Sequence, residues 1–231
     1  SNLWFSKYDM PAEDFLNETD RVWEEVKPLY DALHCHARAK LNDYYGDDIV
    51  SNSGPLPVHL LGNMWGQTWS NIYDIIYTEG SKSNSVNVTR IIEEKSLNEI
   101  EMVEYAEDFF LSIGFEPLPD TFWERSLFVK PSDRSVVCHA SAWNLDPANN
   151  DLRIKMCIQK NEEDFITIHH ELGHIFYYQA YNHLPYLFQG GANDGFHEAF
   201  GDLLTLSITP DYLMNIGFIS EDEANIAKED P

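Results

Sequence analysis

Apolar residues recur at helical spacing from Glu13 to Tyr45, at Phe15, Val22, Val26, Tyr30, Leu33, Ala37, Leu41 and Tyr45. This pattern predicts one long helix, ended by Gly46. Ser51 to Pro57 is rich in Ser, Gly and Pro and reads as a loop. From His59 to Tyr77 the aromatics Trp65, Trp69, Tyr73 and Tyr77 fall four residues apart, so this stretch reads as a helix face turned into a core. Gly80 to Val88 is polar and loop-like. Ile91 to Ile113 predicts a second long helix, with Ile100, Val103, Ala106, Phe110 and Ile113 in phase and Pro117 and Pro119 beyond its end.

The period changes between Ser135 and Cys157. Val136 and Val137, and later Leu152, Ile154, Met156 and Ile158, are β-branched or alternate as in a strand, and Asn144 to Asp151 between them is rich in turn residues. A short antiparallel pair is expected, with Cys138 and Cys157 flanking it at a spacing that could close a bridge across it. Helical periodicity returns at Glu162. No repeat and no low-complexity linker interrupts the chain, so residues 1–231 read as one domain of a mainly α fold with a short strand pair.

Composition narrows the function classes. The 231 residues are 43% hydrophobic and 13% aromatic, which fits a globular chain. A net charge of -24 leaves no basic face for nucleic acid, so that partner is excluded. No apolar run approaches bilayer length, and Ser1 to Ser6 has neither a basic start nor an apolar stretch, so neither membrane anchor nor signal peptide is visible in this chain. Three cysteines leave one unpaired by arithmetic, which leans toward a reducing compartment. Two sequons, Asn17-Glu18-Thr19 and Asn87-Val88-Thr89, lean the other way.

The chemistry concentrates in His170-Glu171-Leu172-Gly173-His174. Residues four apart share a helix face, so both imidazoles can reach one metal ion, and Glu171 between them can address a water on that metal as general base. Zinc takes nitrogen ligands readily and lowers the pKa of a bound water toward neutrality. The five-residue pattern arises by chance in roughly 3% of such chains, so a second element is needed. It comes in Gly190 to Asp202, where glycines and Asn193-Asp194 precede a helix expected to start near Asp194. Catalytic zinc needs a third protein ligand, which Glu198 would supply, and Asp202 one turn on could hold a ligand imidazole in one tautomer. His169 and His197 adjoin the expected ligands but point about 100° away, which suits packing or outer contacts.

These residues resemble the angiotensin-converting enzyme family of zinc peptidyl-dipeptidases. The likeness rests on the His170–His174 motif, on Gly191 to Ala199 around Glu198, and on three further segments in the same order: His59 to Asp74, Val137 to Trp143 and Leu152 to Cys157. The resemblance implies a helical metallopeptidase fold with a deep central cleft and a few short strands, with zinc as cofactor. It also implies an extracellular, glycosylated protein, secreted or membrane-anchored, with a Cys138–Cys157 disulfide, Cys35 as the odd thiol, and Asn17 and Asn87 as glycosylation sites. The substrate would be a peptide with a free C-terminus.

Family roles carry over to several positions. Gln67 matches a glutamine that helps hold the C-terminal carboxylate; a carboxypeptidase branch has arginine there, and proline where this chain has Ala140. Both positions therefore favour release of a dipeptide. His139 and Ala140 match residues that meet the substrate backbone near the scissile bond, and Glu163 and Thr167 match side-pocket positions. Trp4-Phe5-Ser6 stands where the family has Trp-Arg-Ser, and His36 replaces a tyrosine; both family positions serve chloride sites, which argues against chloride as a second cofactor here. Relative to the family, residues 1–231 would be the central portion of the catalytic domain, without the amino-terminal lid and the carboxyl-terminal part of the cleft. A second reading is a non-enzymatic binding protein or inactive fragment on the same scaffold. No zinc ligand is lost, which disfavours a binding-only role.

Overall fold

The computed structural model describes residues 5, 10–62, 65, 66, 69–77, 86–193 and 195–229. The chain divides into two compact units, residues 1–82 and 83–231.

In the first unit, helix α1 (Ala12–Tyr45) spans 34 residues and continues through Pro28. Gly46 ends it at φ 84°, a conformation glycine adopts without steric cost, and donates its N–H to the Asn42 carbonyl. The last turns of α1 hold down the following loop. Asn42 donates from Nδ2 to the Val50 carbonyl at 2.6 Å, and Arg38 donates to the carbonyls of Ser51 and Gly54. Leu41, Val50, Leu56, Leu61 and Ile72 form a small core there, with Trp69 against it.

The long helix expected from the apolar spacing forms in this unit, and one other expectation fails. Of the apolar stripe along α1 only Ala37 and Leu41 are buried; Val22, Val26, Tyr30 and Leu33 are exposed. The periodicity marks an apolar face, but the core of this unit sits only under the last turns. The aromatic segment is not a buried helix face. It contains two short 3-10 turns, Val58–Leu60 and Ser70–Ile72, and a single helical turn α2 (Tyr73–Ile76), while Trp65 is 71% exposed. Gly62 and Gly66 take positive φ, which a continuous helix does not allow.

The second unit carries the main core. The expected helix over 91–113 is two helices, α3 (Val88–Glu94) and α4 (Glu99–Ser112). Ser96 at φ 55° breaks the run, and Asn98 restarts it through a capping box: its side chain accepts from the Ile100 and Glu101 amides while Glu101 accepts from the Asn98 amide. The Asn98-x-x-Glu101 spacing is the signal that apolar periodicity overrode. Helix α5 (Asp120–Arg125) leads to strands β1 (Ser141–Asp146) and β2 (Asp151–Lys155), an antiparallel pair with a bulge between Asn144 and Asp146. Val136 and Val137 lie outside β1; the strand starts five residues later than their branching suggested. Lys155 Nζ donates to the Val137 carbonyl at 2.7 Å and helps to hold that segment.

Helix α6 (Glu162–Asn182) runs through the centre of this unit. Asn161 caps it by accepting from the Asp164 amide, and the acidic first turn suits the positive end of the helix dipole. Phe165, Ile168, Leu172, Ile175 and Phe176 are buried along it, joined by Phe110, Phe122, Leu152 and Ile154. Phe110 and Phe176 stack with ring centroids 4.3 Å apart. Each fully buried side chain of this size contributes about 1.5–3 kcal/mol, so the core fixes α6 firmly. His169 is fully buried among these groups. It lies between the Phe165 carbonyl at 2.8 Å and the Tyr212 hydroxyl at 3.0 Å, and burial pushes its pKa down to about 4. Helices α7 (Phe196–Thr205), α8 (Pro210–Asn215) and α9 (Glu221–Lys228) complete the unit.

Helices α6 and α7 meet at two glycines. A Cβ on Gly173 would stand 2.9 Å from the Gly201 Cα, closer than packed carbon atoms come. The mainly α fold with one short strand pair, expected from the sequence, is what the chain adopts.

Two outcomes follow for stability. Gly173→Ala should destabilise the chain by about 1–3 kcal/mol, because the obstacle is backbone rather than a movable side chain; urea unfolding at neutral pH measures it. Asp151 is held down to about 2 by Arg153 and then Arg125, which bind its carboxylate at 2.7–2.8 Å. Its folded pKa lies below the unfolded value of about 3.9, so its contribution is present above pH 4 and is lost as pH falls toward 2. The melting-temperature gap between Asp151→Asn and the unaltered chain should therefore be open at pH 6 and closed near pH 2.

Candidate metal centre

Three side chains from α6 and α7 converge. His170 Nε2 lies 3.1 Å from His174 Nε2 and 3.2 Å from Glu198 Oε2, and His174 Nε2 lies 3.7 Å from Glu198 Oε1. They form a group able to hold a metal ion, with donor atoms all within 4.8 Å of one another. Four-coordinate zinc with ligands at about 2.0–2.1 Å requires ligand-to-ligand separations of roughly 3.3–3.5 Å, so the three donors sit near the edges of such a tetrahedron.

The outer ring nitrogens explain why Nε2 of both rings faces inward. His170 Nδ1 lies 3.0 Å from Asp202 Oδ1, and His174 Nδ1 lies 3.2 Å from His197 Nδ1. Asp202 and Glu198 are four apart and share a face of α7, so one carboxylate meets the inner side of His170 and the other its outer side. Gly201 between them lets the ring in: a Cβ there would stand 2.8 Å from His170 Nδ1. His174 is mostly buried, and burial lowers its pKa, opposed by the nearby Glu198 charge; the neutral ring is the form that binds a metal.

Glu171 is 6% exposed, and its Oε2 has no hydrogen-bond partner among the described residues. Burial raises its pKa; the His170 and His139 charges act against that rise, while Glu198 adds to it. A buried carboxylate oxygen left unpaired costs stability and is retained where it serves a chemical use.

A cavity of about 880 Å³ opens beside this group. His139, Ala140, Glu163, Thr167, His170, Glu171 and Asp202 line it, so the structure brings together every expected substrate residue of the second unit. His139 and Ala140 lie on the loop entering β1. That loop is tied to the residue after Met156 by the Cys138–Cys157 disulfide, with Cα atoms 5.1 Å apart. The bridge expected from the family resemblance is therefore present, and Cys35 is free. Glu163 and Thr167 face the cavity from the first turns of α6, where the Thr167 hydroxyl donates to the Glu163 carbonyl at 2.9 Å. Gln67 lies outside the described residues, as do Trp4 and Ser6. His36 binds the Ile76 carbonyl through Nε2 at 2.8 Å. Asn17 is on α1, and Asn87 caps α3 by accepting from the Arg90 amide.

Sequence reasoning missed the two glycines of the helix crossing; it gave His197 packing or outer contacts without naming His174 as the ring it meets. Gly173 sits inside the His-Glu-Leu-Gly-His motif and Gly201 beside Asp202, so a pair of glycines on two helices meeting at one metal was the available signal.

Among the described residues no helix is long and apolar enough to cross a membrane. Residues 1–230 match the Peptidase M2 family, described as angiotensin-converting enzyme. The chain is 42% identical over 232 residues to angiotensin-converting enzyme of Haematobia irritans exigua, covering 98% of this chain and 37% of that protein. It is 43% identical over 228 residues to the Bos taurus enzyme and 44% over 225 residues to that of Sus scrofa, covering 17% of each. The chain thus spans well under half the length of these relatives. With the match running along almost its whole length, the chain belongs to the Peptidase M2 family of angiotensin-converting enzymes.

Proposed function

We propose that this chain carries the zinc-binding and proton-transfer core of a peptidyl-dipeptidase, which releases dipeptides from the free C-terminus of oligopeptides. The observation that carries the reading is the convergence of His170, His174 and Glu198, with His170 and the buried Glu171, whose Oε2 has no partner among the described residues, lining one cavity. Both compact units are read as parts of one catalytic domain of a longer extracellular protein, secreted or anchored, with Asn17 and Asn87 as glycan sites.

His170, His174 and Glu198 would hold zinc, which when bound polarises the scissile carbonyl and acidifies a water ligand. Asp202 accepts from His170 Nδ1 and keeps that ring's Nε2 free to coordinate. Glu171 Oε2 takes the proton of the attacking water and returns it to the leaving amine. Its raised pKa supports both steps, because a base that must also give its proton back works best near the operating pH. His139 would stabilise the carbonyl oxygen, and Ala140 would offer backbone to the extended peptide; both line the cavity. Glu163 and Thr167 line the side pocket. Gln67 would donate to the substrate's terminal carboxylate and so measure off two residues.

Glu171→Gln should keep zinc by atomic absorption and lower release of dipeptide from a blocked tripeptide by about 10²–10⁴-fold. Undiminished turnover would contradict the base role. Glu198→Ala should lose both metal and activity; stoichiometric zinc in that variant would remove Glu198 from the ligand set. Zinc without turnover in the unaltered chain would mean that residues 1–231 hold only part of the catalytic unit, and absence of zinc would favour the binding-only scaffold.

A further inference from the structure

The two imidazoles of the metal centre have different outer partners. His170 faces a carboxylate, and such pairing is the common device for orienting a ligand histidine. His174 instead faces another imidazole. Its Nδ1 lies 3.2 Å from His197 Nδ1, and His197 Nε2 lies 2.9 Å from the Tyr181 hydroxyl. Tyr177 and Tyr178 cover the His197 ring, with centroids 4.6 and 4.7 Å away, so the ring has little freedom to turn.

Two imidazole nitrogens at 3.2 Å are compatible with one proton between them and not with two. If His174 coordinates through Nε2, its Nδ1 carries the proton and donates it. His197 Nδ1 must then be the acceptor, which puts the His197 proton on Nε2, where it donates to the Tyr181 oxygen. Every hydrogen-bonding atom of the chain from His174 to Tyr181 has one consistent assignment. The opposite assignment places a proton on His174 Nε2, pointing at His170 Nε2 3.1 Å away, and abolishes the metal-binding form.

We propose that His197 is a positioning residue: through Nδ1 it fixes the tautomer of His174 that leaves Nε2 free for the metal, and Tyr181 in turn fixes the tautomer of His197. This rests on the metallopeptidase reading above, since it concerns how one of the three ligands is prepared.

Two substitutions separate this role from packing. His197→Phe keeps a ring between Tyr177 and Tyr178 but removes the acceptor. His197→Asn loses the ring but sets Oδ1 near the place of Nδ1. Cobalt(II) affinity of the 231-residue chain is read by chelator competition and by the visible spectrum of the bound ion, and stability of the metal-free chain by thermal unfolding. We expect affinity to fall about 10- to 100-fold in His197→Phe and to stay within a few-fold of the unaltered chain in His197→Asn. Thermal stability should follow the reverse order. Equal affinities in all three chains, or a loss in His197→Asn as large as in His197→Phe, would overturn the proposal while leaving the metal centre intact. If the unaltered chain takes up no cobalt, the metal-centre reading fails and this one with it.

Discussion

Everything at the candidate site depends on how closely two helix backbones approach. Glu198 has a short reach, and the ring nitrogens it must meet belong to a helix fixed by the main core. Only where α6 and α7 both lack a side chain can their axes come near enough, and Gly173 and Gly201 meet at that point. A glycine in a helix interior costs up to about 1 kcal/mol relative to alanine. Here that cost is offset by placing a carboxylate 3.2 Å from an imidazole and by making room for the His170 ring. The crossing therefore links packing to chemistry directly: a change in the separation of the helices is a change in the size of the candidate metal site.

The polar groups around that crossing are handled in two ways. His169 is buried in the core, points away from the site and has both nitrogens in contact with α6 and α8, so it serves the fold. His170, one residue on, points to α7 and is partly open. The 100° step between neighbours on a helix is enough to separate a structural histidine from a candidate ligand. Glu171 takes a third direction, into the cavity. Its burial with no partner for Oε2 among the described residues is a strain the fold carries at the place where a proton acceptor is useful.

Much of this was legible in the sequence because helices announce themselves through period and caps. The start of α6 at Glu162 and the end of α1 at Gly46 follow from local signals, and the pairing of His170 with His174 follows from spacing alone. Glu198 required a long-range guess, which the second glycine-rich segment made possible. Other features were not legible for physical reasons. An apolar period says that a face exists, not that this unit covers it, hence the exposed stripe on α1. The capping box at Asn98 competes with a run of apolar residues that continues in phase, so period masked the break at Ser96. The branching of Val136 and Val137 reports side-chain preference, whereas pairing is decided by backbone partners, and β2 finds those at Ser141 to Asp146. No local signal shows that His197 meets His174, because that contact joins residues 23 apart across two helices.

The covalent link between Cys138 and Cys157 spans 19 positions and encloses both strands. Tying a loop of that size removes conformations from the denatured chain, worth roughly 3 kcal/mol in the entropic description. The hairpin has only two short strands and would be marginal alone. With its ends tied, the segment bearing His139 and Ala140 stays beside β2 even when the ladder opens transiently. One wall of the cavity is thus kept in place by chain connectivity, while the opposite wall is kept in place by packed helices.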